Sequence, residues 1–494
     1  MTTKPVSDTS ASEASASEAQ ALAALEVAFH PKSVAVAGVS PNRKGFGGGL
    51  MFYNAAKRFD RVEHVYALNP KGGELEDGTP IYKSLRDLPG DVDYVISAVP
   101  ASAIMGLVDD AIACGVKVIH SFTAGFAETG DQERAGLEEE MLTKLHDVGI
   151  RLIGPNCMGI HSPISGISWM PESSTEVGRV GFASQSGMHA SEVVRAGEQR
   201  ALRFSYCVSF GNASDLIECD YLDYLANDEG TEVVMAYLEG VKDGPRFLRT
   251  ARQLSARKPL IILKGGSTES GSRAAASHTG SLAGSSQIWE AVRRQANFIS
   301  VFNTDELMDV AITVQNLKDL AGPRVAVVGG GGGTSVLAAD ACDRENIPVP
   351  WFDEATQRKL GEDTPVAGTS VRNPVDSNIT WDGRNFSSAL ETIASDPNID
   401  WIMLHFGLDG GPGSGSAEQR RKFEERMIEN ISKARADLPK PLAVVLRAPG
   451  SPESMAASLR MKQELGAAGV GVYSTVEACA SSVRKYLDWQ ANRP

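Results

Sequence analysis

A unit of an apolar strand, a glycine- or serine-rich turn and a helix occurs twice in this chain, and it constrains the fold more than any other feature. RVGFASQSGMHASEVVRAG (179–197) parallels RVAVVGGGGGTSVLAADAC (324–342). The same two strands then follow each copy: EVVMAYLEG and KPLIILKGG after the first, DWIMLHFGLDG and KPLAVVLRAPG after the second. Three paired strands in one order predict two flavodoxin-like, doubly wound α/β domains built on one plan.

The segment before the repeat has its own alternation of strands and helices. Four short apolar runs, SVAVAGVS, HVYALNP, DYVISAVP and KVIHSFTAG, are separated by helical stretches between Pro31 and Gly125. Parallel strands joined by crossover helices give this pattern. The sequence therefore predicts a Rossmann-like domain ahead of the two flavodoxin-like domains.

The length of 494 residues agrees with roughly three domains at about 150 residues each. The first 22 residues are mostly Ser, Ala, Glu and Thr, so they are predicted to form a disordered tail. The predicted domains then cover residues 23–150, 151–320 and 321–494.

Composition excludes several classes of function. A net charge of -14 argues against a surface for nucleic acid or for an anionic membrane, because both need a basic face, while local basic pockets for phosphates stay possible. No apolar run approaches the length of a bilayer span, and no signal peptide is recognisable. The six cysteines have no CxxC spacing, which favours free thiols in a reducing cytoplasm and argues against a structural metal.

The first strand leads into a glycine-rich loop, PNRKGFGGG, that suits a phosphate-bearing ligand. Its glycines let the backbone approach the ligand, and a helix follows. The spacing after Gly38 is not GxGxxG, and the second strand ends in Asn-Pro-Lys71 where a dinucleotide site needs an acidic residue. A lysine there suits a phosphorylated ribose, while an incidental lysine on a generic mononucleotide-type fold is the alternative.

The two copies of the repeat differ in their reactive side chains. The first carries Glu239 at a strand end and His278 in a loop of small residues, AAASHTGSLAG, just before a helix. The second has Asp409 followed by glycines, and no histidine after its KPL strand. We therefore expect the chemistry in the first copy and a scaffold or docking surface in the second.

The helix start after the first strand of the first copy is a candidate anion site. Ser184, Ser186 and Gly187 offer hydroxyls and free N–H groups there. Glu239 could accept a hydrogen bond from one imidazole nitrogen and leave the other nucleophilic. Ordinary helix capping by the serines and a solvated carboxylate at Glu239 are the alternatives.

Several motifs in order give the chain a family resemblance. From Pro31 to about Ala480 it resembles the α subunit of NDP-forming acyl-CoA synthetases, the ADP-forming acetate–CoA ligase group related to succinyl-CoA synthetase. The matching motifs are HPKSVAVAGVS with its glycine loop, LNPKGG, SAVPA, TAGF, GPNCMG, SQSG, SFGNASD, LEG and SHTGSLAG.

The resemblance implies roles for particular residues. His278 would be the phosphohistidine, Glu239 its orienting carboxylate, and the helix start at Ser186 and Gly187 its phosphate cradle. Asn156 and Asn212 would lie in loops that line the active site, and Cys157 is assigned no covalent chemistry. The implied CoA-binding residues lie in the first domain: Gly38, Ser40, Lys44, Gly45, Gly47, Lys71, Val99, Pro100, Ala101 and Thr123.

One part of the family pattern is missing from the sequence. Single-chain members carry an ATP-grasp module, which this sequence does not resemble anywhere, and no GxxxxGK[ST] loop replaces it. The resemblance therefore implies a separate ATP-grasp subunit that supplies ATP/ADP and Mg²⁺, in a heterotetramer.

The function expected from these features is the CoA-binding, phosphohistidine-carrying subunit of a ligase that joins a small carboxylic acid to CoA. A non-catalytic CoA- or acyl-CoA-sensing subunit and an ATP-independent acyl or carbamoyl transferase of the same superfamily are the alternatives. A nicotinamide-dependent oxidoreductase is a further one.

Overall fold

The structure is a computed structural model that describes residues 8–41, 48–271, 273, 285–362, 369–377, 385–408, 416–448 and 450–493, with backbone only for 8–15. It divides into two compact units. The first comprises Met1–Arg195 and Arg203–Ser300, and the second comprises Ala196–Leu202 and Val301–Pro494.

The first unit begins with a seven-stranded sheet in the order β3-β4-β2-β1-β5-β6-β7. Its strands are β1 (Ser33–Ala37), β2 (His64–Leu68), β3 (Gly73–Glu74), β4 (Pro80–Tyr82), β5 (Tyr94–Ser97), β6 (Val118–Ser121) and β7 (Arg151–Ile153). All pairings except β3 with β4 are parallel, and the six parallel strands have the Rossmann order 3-2-1-4-5-6. The predicted Rossmann-like domain is confirmed, and β7 carries its sheet past residue 150.

A six-stranded sheet in the order β13-β12-β11-β9-β10-β8 completes the first unit. Its strands are β8 (Gly159–His161), β9 (Val180–Ser184), β10 (Phe204–Ser209), β11 (Val233–Leu238), β12 (Leu260–Lys264) and β13 (Ile299–Val301, whose last residue belongs to the second unit). Apart from the antiparallel edge strand β8, the order is the flavodoxin order 2-1-3-4-5.

The second unit repeats that order in the sheet β15-β16-β14-β17-β18-β19. Its strands are β14 (Val325–Gly329), β15 (Ser370–Val371), β16 (Val375–Asp376), β17 (Trp401–Gly407), β18 (Leu442–Arg447) and β19 (Gly471–Tyr473). β14, β17 and β18 occupy the places that β9, β11 and β12 occupy in the first unit. The two flavodoxin-like copies predicted from the repeat are confirmed.

Helices cover both faces of the sheets, so the central strands are buried from end to end; β1, for example, has no exposed residue. The helices of the first unit are α1 (Asp8–Phe29), α2 (Gly49–Phe59), α3 (Ile104–Ala113), α4 (Gln132–His146), α5 (Gly187–Gln199, whose last four residues belong to the second unit), α6 (Glu218–Asn227), α7 (Gly244–Arg257) and α8 (Ser286–Ala296). Those of the second unit are α9 (Thr304–Asn316), α10 (Gly332–Arg344), α11 (Glu354–Glu362), α12 (Phe386–Ala394), α13 (Ala417–Asp437), α14 (Pro452–Ala467) and α15 (Val476–Ala491). No helix within the described ranges is long and apolar enough to cross a bilayer.

The N-terminal segment differs from the prediction. Residues 8–22, expected to be disordered, belong to helix α1. The end of this helix is anchored, because Phe29 is fully buried against the rings of Tyr206 and Tyr224, and Glu26 accepts a hydrogen bond of 2.8 Å from the Tyr224 hydroxyl. Burying one phenylalanine contributes about 1.5–3 kcal/mol, and packing of this kind stabilises helices in proteins more than their composition does.

Candidate functional site

The carboxyl ends of the central strands of the first sheet form the predicted nucleotide-binding edge. Ala37 pairs with Leu68 on one side and with Ser97 on the other, so β1, β2 and β5 end side by side at the same edge of the sheet. Gly38 is required there, since its φ is +92° and a Cβ would lie 2.5 Å from the carbonyl oxygen of Ala98. Backbone can therefore approach a ligand closely at this edge.

Lys71 and Ser40 lie at the same edge. The side-chain amide of Asn69 donates to the carbonyl of Val39 at 2.8 Å, and its oxygen accepts from the Lys71 N–H at 3.0 Å. These two hydrogen bonds connect the ends of β1 and β2 and hold the exposed Lys71 on the turn after β2. Ser40 is half-buried on the loop after β1. The turn that carries Lys71 is therefore attached to the end of β1.

The remaining predicted residues of this edge follow β5 and β6. Val99, Pro100 and Ala101 lead out of β5, and the Thr123 hydroxyl donates to the Val99 carbonyl at 2.7 Å. That bond ties the two strand ends together. Lys44, Gly45 and Gly47, together with His278 and Asp409, lie outside the described residues.

Helix α5 begins at Gly187, directly after the turn that follows β9. The Ser186 hydroxyl accepts from the N–H of His189 at 3.3 Å, as a capping side chain does. Gly187 fits here because a Cβ would lie 2.7 Å from the Cγ of Met158. Ser184 is fully buried, and among the described residues its hydroxyl bonds only within the turn, where it donates to the carbonyl of Ser186 and accepts from the N–H of Ser186. Its geometry suits shaping the turn better than contacting an anion.

Gln185, which the sequence analysis did not single out, joins this turn to the strand beside it. Its side-chain oxygen accepts from the N–H groups of Glu239 and, at 2.9 Å, Gly240. The register of β9 and β11, in which Ser184 pairs with Tyr237, makes that reach possible. The only sequence signal for Gln185 was its position between the two serines of SQSG.

Glu239 follows β11 with a buried carboxylate of which one oxygen is used. Oε1 accepts from the Tyr237 hydroxyl at 3.1 Å, while Oε2 is buried and has no hydrogen-bond partner in the part of the chain that the structure describes. A buried, unpaired carboxylate oxygen is costly, so it is expected to meet a donor when the site is complete. An imidazole N–H is one such donor.

Two cationic or titratable side chains pack beside Glu239. Lys264 donates to the Glu239 carbonyl at 2.7 Å, and burial lowers its pKa. The ring of His189 lies 4.5 Å from the ring of Tyr237, and burial lowers its pKa as well. The His189 Nε2 is buried and, among the described residues, without a hydrogen-bond partner.

Asn156 and Asn212, predicted from two separate motifs, are in direct contact. The Asn156 amide donates to the Asn212 side-chain oxygen at 3.3 Å, and the Asn212 amide donates to Glu128 at 2.7 Å. Gly211 permits the approach, because a Cβ there would lie 2.3 Å from the Pro155 carbonyl oxygen. Burial alone would raise the pKa of Glu128, but the N–H of Gly125 and the Asn212 amide lower it below its ordinary value.

A cleft of about 480 Å³ connects these elements within the first unit. It runs from the ends of β5 and β6 to the start of α5, and it is lined by residues 98–101, 122–124, 156–158, 185–188, 211 and 212. Eight of the predicted residues therefore face one space: Val99, Pro100, Ala101, Thr123, Asn156, Ser186, Gly187 and Asn212. The N–H groups of Gly187 and Met188, for which the described residues provide no acceptor, make one end of this cleft favourable for an anion.

Cys157 also lines the cleft but is not arranged as a nucleophile. It is 3% exposed, its sulfur lies 3.7 Å from the Ser121 carbonyl oxygen, and burial raises the pKa of the thiol. Within the described ranges, no three His, Cys, Asp or Glu side chains are grouped as metal ligands.

Two family models match the chain. Residues 32–163 match a CoA binding domain, and residues 177–314 match a succinyl-CoA ligase like flavodoxin domain. The first match covers the Rossmann-like sheet with its nucleotide-binding edge. The second covers α5, Glu239 and the segment that contains His278.

Relatives of known activity align over most of the chain. The alpha subunit of acetate–CoA ligase [ADP-forming] II from Pyrococcus furiosus is 35% identical over 382 residues, which cover 77% of this chain and 81% of that subunit. Acetate–CoA ligase [ADP-forming] I from Archaeoglobus fulgidus is 38% identical over 77% of this chain. The chain spans about half of that longer protein, 54%.

A solved structure extends the similarity through the second unit. It is the dinucleotide forming acetyl-coenzyme A synthetase 1 of Ca. Korarchaeum cryptofilum in complex with phosphate and ADP. The two chains are 28% identical and superpose with a TM-score of 0.81, over 95% of this chain and 97% of the other.

Proposed function

The chain belongs to the family of ADP-forming acyl-CoA ligases, which are acid–thiol ligases, and we propose that it is the subunit that binds CoA and carries the phosphohistidine. In this reaction ATP phosphorylates His278 and leaves as ADP. The carboxylate of the acid then takes the phosphoryl group as an acyl phosphate, and the CoA thiol displaces phosphate to give acyl-CoA. The unpaired Oε2 of Glu239 beside the start of α5 is the observation that carries the proposal.

The described residues have distinct tasks in that scheme. The N–H groups at the start of α5 stabilise the transferred phosphoryl group, because the helix end offers unpaired donors and a favourable dipole. Glu239 accepts the N–H of one imidazole nitrogen through Oε2 and so presents the other nitrogen to phosphate. Tyr237 and Gln185 hold Glu239 in place through its carboxylate and its backbone.

CoA is assigned to the nucleotide-binding edge of the first sheet and to the cleft that leaves it. Lys71 would face the ribose phosphate, and Gly38 and Ser40 would face the backbone of the nucleotide, with Lys44, Gly45 and Gly47 beside them. The cleft lined by Val99 to Ala101 and Thr123 leads towards α5. The thiol end would thereby reach the place where the acyl phosphate forms, with Asn156 and Asn212 on the cleft wall.

The nucleotide chemistry is assigned to a partner. The Pyrococcus relative is named an alpha subunit, which supports a separate subunit here too. We propose an ATP-grasp partner that holds ATP and Mg²⁺, in a cytoplasmic heterotetramer with two copies of each chain. Mg²⁺ would offset the charge of the phosphates during transfer.

Labelling with γ-³²P-ATP tests the proposal. The chain with its partner should acquire an acid-labile, base-stable phosphoryl group, and His278→Ala should abolish it. His64→Ala, at an exposed position outside both sites, is the matched control and should label like the wild type. Labelling that persists in His278→Ala contradicts the assignment and makes His189 the next residue to test.

The same preparation separates the alternatives. CoA binding without any labelling of the wild type would favour a sensing subunit. Phosphorolysis of an acyl donor without nucleotide would favour a transferase.

A further inference from the structure

A second cavity lies in the first unit, beside the start of α5. Its volume is about 700 Å³. Leu50, Met51 and Tyr53 of α2 form one wall, and Trp169 and Met170 form part of another. The side chains that line it are mainly apolar, and the volume lies within the range of small-molecule sites, roughly 300–1,000 Å³.

The cavity wall is fixed to the same helix turn that is proposed to hold phosphate. The indole N–H of Trp169 donates to the Ser191 hydroxyl at 2.9 Å, and that hydroxyl donates to the Gly187 carbonyl at 3.1 Å. Trp169 is 1% exposed, so its ring is held by packing as well. These hydrogen bonds therefore fix the position of Trp169 in the apolar wall relative to the start of α5.

Met188 joins the cavity to the cleft described above. It lines both spaces, and it is the residue after Gly187 at the start of α5. A ligand that fills the cavity and ends at Met188 would present its terminal group to the free N–H groups of that helix turn. For a carboxylic acid, the terminal group is the carboxylate.

The charged side chains that line the cavity restrict which acids it can bind. Glu76, Asp77, Glu172 and Arg195 line it, and Arg195 pairs with Glu172 at 2.6 Å. Glu76 and Asp77, on the hairpin after β2, place two more acidic side chains on this wall. The Thr79 hydroxyl and N–H, with which Asp77 is hydrogen-bonded, lower the pKa of Asp77, so this carboxyl stays ionised at neutral pH. A second carboxylate on the ligand would meet like charge there.

We propose that this cavity binds the body of the acid substrate, and that the substrate class is a monocarboxylic acid with an aromatic or bulky aliphatic body. The inference rests on the proposed ligase function. Acetate would leave most of the space to water, because one water takes about 30 Å³. A dicarboxylic acid such as succinate would be disfavoured by the acidic hairpin.

Substrate specificity of the complex with its partner provides the first test. The kcat/KM for phenylacetate should exceed that for acetate by about tenfold or more, and succinate should be the poorest of the three. Leu75→Trp, which fills the cavity from a half-buried hairpin position, should lower kcat/KM for phenylacetate about tenfold and that for acetate less than about threefold. Asn54→Trp, at an exposed position of α2 on the same cavity, is the second filling variant.

Matched controls lie outside both spaces. Ile164→Trp adds the same side chain at a 45% exposed loop position and should change the kcat/KM for neither phenylacetate nor acetate.

Glu76→Lys tests the effect of the acidic hairpin. It should raise the kcat/KM for succinate relative to acetate about threefold, whereas Glu74→Lys on the same hairpin should not. A wild type that prefers acetate, or filling variants that slow both acids equally, would overturn the inference while leaving the ligase function standing. Filling variants that raise only the KM for CoA would assign the cavity to CoA instead.

Direct binding separates this inference from the proposed function. Saturation-transfer NMR of phenylacetate with the full chain, without ATP or CoA, should give a signal that Leu75→Trp removes and Ile164→Trp keeps. That result together with no ligation of any acid would refute the ligase function but not the cavity. Loss of both the signal and the ligation would refute both.

Discussion

Removing the carboxylate of Asp215 should destabilise the first unit far more than removing an exposed one. Asp215 follows the Asn212 loop, and its side chain is 2% exposed. The Arg151 guanidinium donates to it from Nε and Nη2 at 2.7–3.0 Å, the Leu152 N–H donates at 2.7 Å, and His146 lies 3.0 Å away. Asp215→Asn keeps the shape but leaves the Arg151 charge buried without its counter-charge.

The size of the effect follows from that burial. Arg151 is 11% exposed, and breaking a buried ion pair by neutralising one partner costs about 3–5 kcal/mol. At an unfolding entropy of about 2.1 cal/mol/K per residue, a unit of about 290 residues loses about 1.6 °C of melting temperature per kcal/mol, so we expect a loss of roughly 5–8 °C. Asp109→Asn, which breaks the exposed pair with Lys144, is the control and should cost at most about 1 kcal/mol.

The dependence on pH has a defined sign. Burial alone would raise the pKa of Asp215, but the hydrogen bonds from His146 and Arg151 lower it below its ordinary 3.8, so its contribution is present above that value and is lost as the pH falls through the folded pKa. The hydrogen bond to Asp215 raises the pKa of His146 above 6.5, so its smaller contribution is present below 6.5 and is lost as the pH rises through the raised pKa. The difference between wild type and Asp215→Asn should therefore be largest in the mildly acidic range.

Differential scanning calorimetry across that pH range measures both effects. The same variant should weaken CoA-dependent turnover, because Asp215 ties the loop that carries Asn212 to β7. If Asp215→Asn melts within a degree or two of Asp109→Asn, the contacts of Asp215 with Arg151, Leu152 and His146 do not stabilise the first unit and the reasoning is refuted.

Three further predictions concern single side chains. Lys71→Glu should weaken CoA more than dephospho-CoA in calorimetry, by on the order of 1 kcal/mol, and equal losses would show that Lys71 does not meet the ribose phosphate. Tyr237→Phe removes the hydrogen bond to Glu239, worth about 1.5–3 kcal/mol to a charged acceptor, and should slow phosphorylation about tenfold or more in rapid-quench experiments while Tyr82→Phe does not. Unchanged rates would mean that Tyr237 does not position Glu239. The buried thiol of Cys157 should resist iodoacetamide until the protein unfolds, and peptide mapping that finds it alkylated in the native state would contradict the assigned burial.

The sequence predicted the sheets well because parallel strands and their glycine turns are local patterns. Each pair of repeated strands occupies equivalent places in the two flavodoxin-like sheets, and Glu239 stands at a strand end as expected. The N-terminal helix was missed, since its stability depends on Phe29 packing against Tyr206 and Tyr224, which lie far along the chain. Contacts with such distant residues cannot be predicted from the composition of the N-terminal segment.

What the sequence alone determined is the order of strands, the three-sheet α/β architecture and the set of motifs at the strand ends. The periodicity of apolar residues and the positions of glycine fix these features within short windows. Only the tertiary structure decided that Gln185 and Tyr237 hold Glu239, that Glu128 holds Asn212, and that Met188 joins two cavities. These relations depend on strand register and on loops that meet from distant positions, and they follow from the packing of the whole chain, which no short window contains.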